Sequence, residues 1–445
     1  MTERLFSNRD LRKLLVPLVI EQLLTMLVGI ADTMMISYAG EAAVSGVTLV
    51  DMVNYLVITV LTAVDTGGSV IVSQYLGMRD REKANEAAGQ LLTVTVLIST
   101  GIMAVCTLLH AGILSALFGQ VEPAVMEAAN TYLVITALSI PFLGVYNSSA
   151  ALFRSMHRTS VTMYVSLLMN TINIIGNAVG IFVLHAGVAG VAVPTLISRA
   201  VAAMILTGLA FDRRNEISVS WKNILSWKKK TLSKILRIAV PGGIENGLFA
   251  LGRVLVTSIV ALFGTAQIAA NGVAGSVDTI AILVVNAVNL AIVPVVGQCI
   301  GAGETEQAEY YTGKLMKISY VETGILGMLV VLFLPFILGF FSLSRETYAL
   351  SCILIIAHNI LAFALHPTSF NLANSLRASG DVNVTMWTGI GSMLIFRLGT
   401  AYVLGIAMGL GIYGVWAAMG MDWLARSVVF VIRYRSGRWK EMKTI

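Results

Sequence analysis

Charge is scarce in this 445-residue chain: Asp, Glu, Lys and Arg make up 12% of it, against 57% hydrophobic residues and a mean hydropathy of +0.82. A soluble domain cannot keep its surface hydrated with so few charges, whereas lipid solvates such a surface readily. Cysteine is scarcer still. Cys106, Cys299 and Cys352 all lie in apolar runs with no partner at metal-ligand or CxxC spacing. They read as small core residues and leave the redox compartment open. Several chemical signatures are missing as well. The sequence has no GxxxxGK[ST] loop, no HExxH, no GxSxG and no Cys/His cluster, and no extramembrane segment is long enough to form a domain. Neither ATP hydrolysis by this chain nor an enzyme function is therefore expected, and no cofactor is implied.

Long apolar stretches are what the chain does have. Runs of about 20 residues, the length a spanning helix needs, lie at roughly 14–38, 52–76, 88–110, 128–152, 161–184, 188–211, 234–261, 277–300, 314–340, 349–372, 384–405 and 412–433. Backbone groups in lipid must be satisfied within their own segment, so each run is expected to be a helix. The basic N-terminal flank is followed by an apolar run that reaches Tyr38 without a small-residue cleavage site, so this segment is expected to be a first span and not a removed signal peptide.

The formal charge of +6 would suit a nucleic-acid binder until its distribution is read. Twenty-five Lys and Arg residues fall in the termini and even-numbered loops, whereas the odd-numbered loops contain only Arg345. These are topology markers. They predict cytoplasmic termini, a multi-pass protein of the plasma membrane (the inner membrane of a prokaryote), and no nucleic-acid partner.

The chain also repeats itself. Pro17, Glu21, Gly40, Gln74, Gly77 and Gly89 recur 224 positions later as Pro241, Glu245, Gly264, Gln298, Gly301 and Gly313. Val161-Thr162-Met163 recurs as Val384-Thr385-Met386 at 223. The expected fold is all-α integral membrane, with twelve transmembrane helices in two six-helix lobes. Six spans per repeat put both halves into the membrane the same way round, which implies a pseudo-twofold along the membrane normal. The expected N-terminal lobe covers 1–211, a basic linker 212–233 and the C-terminal lobe 234–445. The linker, with Trp221 and Trp227, reads either as an amphipathic helix against inner-leaflet lipids or as an unstructured basic loop.

A charged side chain within a span costs roughly 2.5–3.5 kcal/mol on insertion scales, so such groups are the first functional candidates. Glu21 and Asp32 share one face of span 1, about 16 Å apart along the axis, with Thr25 between them. Glu21 has a twin in Glu245, which suggests architecture or a gate. Asp32 falls on Val256 at the same offset, which suggests a job done by one lobe only: binding a coupling cation, H⁺ or Na⁺. Asn170, Asn173 and Asn177 form an amide stripe in span 5 that could face span 1, either to bind Na⁺ with Asp32 or to tie helices together. Asp65 is a third acid of the first half, expected either to join Asp32 or to pair with a base such as Arg199. In the second half, Arg253, Glu322, His358, His366, Arg397, Asp422 and Arg426 lie within spans. Asp422 and Arg426 have i, i+4 spacing and read as an intrahelical pair. His358, His366 and Arg397 could line a cavity, or the histidines could be structural, and Pro367 could break span 10. Transport driven by an ion gradient is the reading left standing, since one charge crossing 100 mV releases about 2.3 kcal/mol.

With these residues in hand, the chain resembles the MATE (multidrug and toxin extrusion) transporters along essentially its whole length. The resemblance rests on Ile30-Ala31-Asp32-Thr33-Met34-Met35 with Gly40-Glu41-Ala42-Ala43-Val44, on Gln74-Tyr75-Leu76-Gly77, and on Arg377-Ala378-Ser379-Gly380-Asp381, which is similar to the family's R-G-x-G-D loop. It implies Na⁺- or H⁺-coupled export of cationic, amphipathic small molecules by alternating access. It also implies cation coupling at Asp32 and at the Asn173–Asn177 stretch, in a chain expected to act as a monomer among membrane lipids. The sequence departs from one branch at Phe249, where that branch carries an acid, and in having Asp65 in span 2. A lipid-linked-precursor flippase is the alternative, with Arg199, Arg253, Arg397 and Arg426 as anion-binding groups; an intramembrane enzyme or receptor is a more distant one.

Overall fold

The computed structural model describes residues 4–119, 121–341, 343–442 and 444–445. Lys443, counted above among the basic residues of the C-terminal end, and the first three residues of the expected N-terminal lobe lie outside the described residues. All regular structure among the described residues is helical. The chain divides into two compact units, Phe6–Gly243 and Ile244–Thr444 with Leu5.

The first unit contains α1 (Asn8–Ser37), α2 (Glu41–Gly77), α3 (Arg81–Leu108), the short α4 (His110–Phe118), α5 (Pro123–Leu138), α6 (Ile140–Ser155), α7 (Thr159–Ala178), α8 (Ala189–Ala210), α9 (Trp221–Leu225) and the start of α10 (Lys229–Ala261). Local chemistry sets the ends. Ser7 and Asp10 cap each other's backbone to start α1. Asp80 accepts the Lys83 N–H to start α3, a bond that holds its exposed carboxyl below the usual range. The second unit contains the rest of α10, then α11 (Thr265–Ala281), α12 (Leu283–Gly301), α13 (Thr305–Leu332), the short α14 (Leu334–Gly339), α15 (Arg345–Ala378), α16 (Val382–Gly391) and α17 (Gly411–Arg435). π-Helical turns extend α7 over Val179–Val183 and α16 over Ser392–Gly399 and Ala401–Ala407.

Among the described residues, eleven helices are long and apolar enough to cross a bilayer, and α5 with α6, bent by 45°, supply a twelfth span. The expected count of twelve is thereby met. Many large apolar side chains on these helices face outward, as a lipid-solvated surface requires. The internal repeat is visible in the backbone. Gly40 and Gly264 adopt φ of +101° and +97°, a conformation that suits glycine, at the turns that start α2 and α11. α2 spans 41–77, while its counterpart at 265–301 is interrupted at Ile282 to give α11 and α12.

The division between the two compact units falls inside α10, after Gly243, and the basic segment expected as a linker, 212–233, precedes it. That linker is tied to α3: the Gln90 side-chain amide donates to the Asn223 carbonyl (2.8 Å), Thr93 donates to the Ile224 carbonyl (2.6 Å), and Gly89 lies so close to Asn223 that a Cβ would meet it at 2.6 Å. One expectation differs from the structure: Pro367 does not break span 10, because α15 runs through it. Hydroxyls support the turn before the proline. Ser369 and Ser427 donate to the Leu365 carbonyl (2.8 and 3.3 Å), and Tyr320 to the Ala364 carbonyl (3.4 Å).

One close crossing fixes the C-terminal end of α7 where its π-helical turn begins. A Cβ on Gly180 would meet the Gly190 carbonyl oxygen at 2.2 Å, so the two backbones touch with no room for a side chain. Replacing Gly190 with Val should lower stability by about 1–3 kcal/mol through overpacking, read as a fall in the thermal transition of the purified protein. Gly208→Ala, where open space surrounds the Cβ, should not lower it. An unshifted Gly190→Val variant would contradict the crossing.

Candidate cation site

Four side chains from three helices meet in the first unit. Asn177 Nδ2 on α7 donates to Asp32 Oδ1 on α1 (2.7 Å) and to Asn173 Oδ1 one turn earlier (3.3 Å). Asn173 Nδ2 donates in turn to Thr195 Oγ1 on α8 (3.0 Å). The stripe faces inward because α7 packs between α1 and α8, and Asn170, Asn173 and Asn177 are all buried. Two of its polar atoms, Asn177 Oδ1 and Asn170 Nδ2, are buried and make no hydrogen bond among the described residues. Buried amide atoms are ordinarily satisfied, so a line of them left open beside a carboxylate is suited to an ion or water. An oxygen-rich group of this kind suits Na⁺ or a proton and not a transition metal. No cluster of three His, Cys, Asp or Glu side chains fit for a metal occurs among the described residues.

The sequence reading passed over Asp51. It sits on α2 with Asn54 as hydrogen-bond partner, within electrostatic reach of Asp32 and Arg199. Arg199 on α8 donates to Ser139 Oγ (2.7 Å) and forms no ion pair among the described residues. Asp32 is half-buried and Asp51 exposed.

Asp65 is elsewhere. It is buried on α2 and accepts from Ser148 Oγ (2.6 Å), which in turn contacts Thr95 Oγ1 (2.7 Å). The expected partner Arg199 is occupied with Ser139. The second unit repeats this network with neutral residues: Asn371 Nδ2 donates to Asn289 Oδ1 (2.8 Å), and Ser319 donates to Asn371 Oδ1 (2.7 Å). Asn289 lies 224 positions after Asp65, Ser319 lies 224 after Thr95, and Asn371 lies 223 after Ser148.

Glu21 belongs to a second duplicated device. Arg154 donates to its Oε1 (2.9 Å) and Thr162 to its Oε2 (3.0 Å). In the second unit Arg377 donates to Glu245 Oε2 (2.7 Å), with Gly389 packed against the same carboxylate. Thr25 returns its hydroxyl to the Glu21 carbonyl (2.9 Å). Arg377 and Asp381, the charged ends of the R-A-S-G-D stretch, thus tie α15 to α10 and, through the Arg433–Asp381 pair (2.6 Å), to α17.

His358, His366, Arg397, Asp422 and Arg426 of the second unit have no counterpart of the same type at these offsets. His358 Nδ1 approaches Asp278 Oδ1 to 2.9 Å, off the hydrogen-bonding angle, and its ring meets Trp416 and Trp423 edge to face. His366 stacks on Phe370 with ring centroids 4.3 Å apart, and its Nδ1 is unpartnered. Asp422 and Arg426 form the expected intrahelical pair (2.9 Å), and Arg397 lies 4.0 Å from the other oxygen of Asp422.

An all-α, multi-span architecture with buried polar clusters between its helices is one that membrane transporters use. The MatE family profile matches residues 17–179 and 241–419, one match in each half of the repeat. The uncharacterized transporter YisQ of Bacillus subtilis is 30% identical over 95% of this chain and 93% of its own length. The probable multidrug resistance protein NorM of Thermotoga maritima is 26% identical over 98% and 93%. Among solved structures, the outward-facing conformation of a multidrug resistance MATE family transporter of the MOP superfamily superposes with a TM-score of 0.91 at 20% identity, covering 98% of this chain and 97% of that one. A MOP superfamily transporter from Pyrococcus furiosus gives 0.91 at 19%, with the same coverage. The chain belongs to the MatE family of multidrug and toxin efflux transporters; it is a transporter and not an enzyme.

Removing either duplicated glutamate strands a buried arginine. Glu21→Gln and Glu245→Gln should each destabilise by on the order of 3 kcal/mol, measured by unfolding in mixed micelles, and Glu21→Gln combined with Arg154→Met should recover much of the loss. Single variants as stable as the parent would show that these pairs hold nothing together.

Proposed function

We propose that this protein is a secondary active antiporter of the plasma membrane that exports cationic, amphipathic small organic molecules in exchange for Na⁺ or H⁺, with Asp32 binding the driving cation. One observation carries the reading: among the described residues the Asp32 carboxylate is hydrogen-bonded only by the neutral amide of Asn177, beside the open Oδ1 of that same residue. An acid already locked to an arginine, as Glu21 is, gains little from a cation. Asp32 changes the charge of its surroundings when a cation arrives or leaves, and that change can bias a two-state protein. Asn173 and Thr195 supply further oxygens for Na⁺, while a proton needs Asp32 alone. The acids Asp32 and Asp51 favour cationic cargo. The basic cytoplasmic loops support inward-facing termini, with the monomer as the working unit.

Asp32→Asn should reduce export to the level of protein-free vesicles while expression and thermal stability stay near those of the parent. Unchanged efflux would remove Asp32 from the mechanism. Proteoliposomes loaded with a cationic dye and given an imposed Na⁺ or H⁺ gradient should show export with one of the two ions and none without a gradient. Dye movement indifferent to both gradients would sink the antiport reading.

A further inference from the structure

The basic segment between α8 and α10 is fastened to α3 on one side and open on the other. Gln90 of α3, fully buried, donates to the Ser226 carbonyl (2.5 Å) as well as to that of Asn223, and accepts from the Lys228 N–H (3.1 Å). Upstream, the Ser218 N–H donates to Asn85 Oδ1 (2.8 Å); downstream, the Thr231 hydroxyl donates to Glu86. With its backbone held at so many points, the segment is neither a free loop nor able to turn over. Its large apolar side chains are left outside: Trp221 is 67% exposed, Leu225 79% and Trp227 62%.

The part of α3 that holds the segment is where that helix changes character. Its first turns carry Arg81, Glu82, Lys83 and Glu86; from Leu91 onward it is apolar, and Val96 and Leu97 face outward. A spanning helix makes that change where it enters the bilayer. Gln90 and Thr93 therefore hold the two tryptophans and Leu225 at the level of the membrane surface, where an apolar ring with a polar N–H is favoured. The charge beside them is of one sign. Lys222, Lys228, Lys229 and Lys230 are all exposed, and the sequence has no acid between Glu216 and Glu245.

We propose that residues 221–230 form a docking surface for anionic phospholipid, with the three apolar side chains in the headgroup region and the four lysines against the phosphates. Apolar groups and lysines together give the two signals that bind a chain to an anionic membrane surface. A free phosphate would engage the lysines but leave the tryptophans and Leu225 in water, which their burial in lipid avoids. Because α10 begins at Lys229, lipid held here also holds the start of that helix. The proposal stands on the membrane-spanning fold and is independent of the export reading.

The test uses the purified full-length protein in vesicles of equal parts phosphatidylglycerol and phosphatidylcholine, with dibrominated acyl chains on one lipid or the other. Bromine quenches the tryptophans it touches. The chain has six tryptophans, so the difference between the parent and Trp221→Phe combined with Trp227→Phe isolates the two of interest. That difference signal should be quenched more strongly with bromine on phosphatidylglycerol, giving an apparent preference of about fivefold or more for the anionic lipid. Lys222→Gln, Lys228→Gln, Lys229→Gln and Lys230→Gln together should bring the preference below about twofold. This variant should keep the parent's thermal transition in phosphatidylcholine alone, since the backbone bonds to α3 remain. In the parent, raising NaCl to about 1 M should shrink the preference by screening, and this carries the same test should the lysine variant not fold. Equal quenching from both labels, or a preference indifferent to both the lysines and salt, overturns the proposal. So does a dimer that the tryptophan variant abolishes, which would assign the face to a second copy of the chain.

Discussion

A carboxylate among spanning helices must be neutralised by a fixed base, a proton or a visiting cation, and this chain treats its acids differently. Glu21, Glu245, Asp381 and Asp422 each contact an arginine. Asp32 has an amide at 2.7 Å and a second acid within electrostatic reach. The acids with bases are fixtures of the scaffold. In the proposed mechanism the charge state of Asp32, which no base contacts among the described residues, is set by what enters the membrane, and an ion gradient can act on it.

The duplication sorts the remaining polar groups in the same way. The Glu–Arg pair and the Asp65–Ser148–Thr95 network both recur in the second unit, the latter as Asn289–Asn371–Ser319. A contact that works in both units, with or without charge at its centre, serves helix packing. Some groups without twins carry open hydrogen-bonding atoms among the described residues: Asn170 and Asn177 in one unit, His366 and Arg397 in the other. The two units share these packing contacts and differ at a few polar positions, where one carries Asp32 and its amide stripe and the other Asp422, Arg426 and Arg397.

Much of this was legible in the residues. Span number, the repeat and the special place of Asp32 follow from hydropathy, offset and the lack of a twin, because lipid leaves helices few alternatives. The amide stripe was visible as i, i+3, i+7 spacing. Asp51 escaped because a window of apolar residues begins after a charge, so span 2 was drawn from 52, whereas α2 starts at Glu41 behind the Gly40 turn. Its matching start at Thr265, behind Gly264, was the signal that would have found it. Asp278 was missed although it lay inside a drawn span, since its partner His358 comes from a helix 80 positions away. Asp65 could have been placed by the repeat, because Asn289 marks its position as a packing site. The proline in α15 misled because the hydroxyls that support its turn come from other turns and helices, which hydropathy does not register.

The central claim is that a cation's arrival changes the state of the Asp32 carboxyl. Infrared difference spectra of the protein in lipid, with the Asp32 bands assigned by their loss in Asp32→Asn, observe that group directly. Either adding Na⁺ at constant pH should shift its carboxylate bands, or changing pH at constant Na⁺ should exchange them for the carbonyl band of the protonated acid. Bands that respond to neither ion would contradict the account.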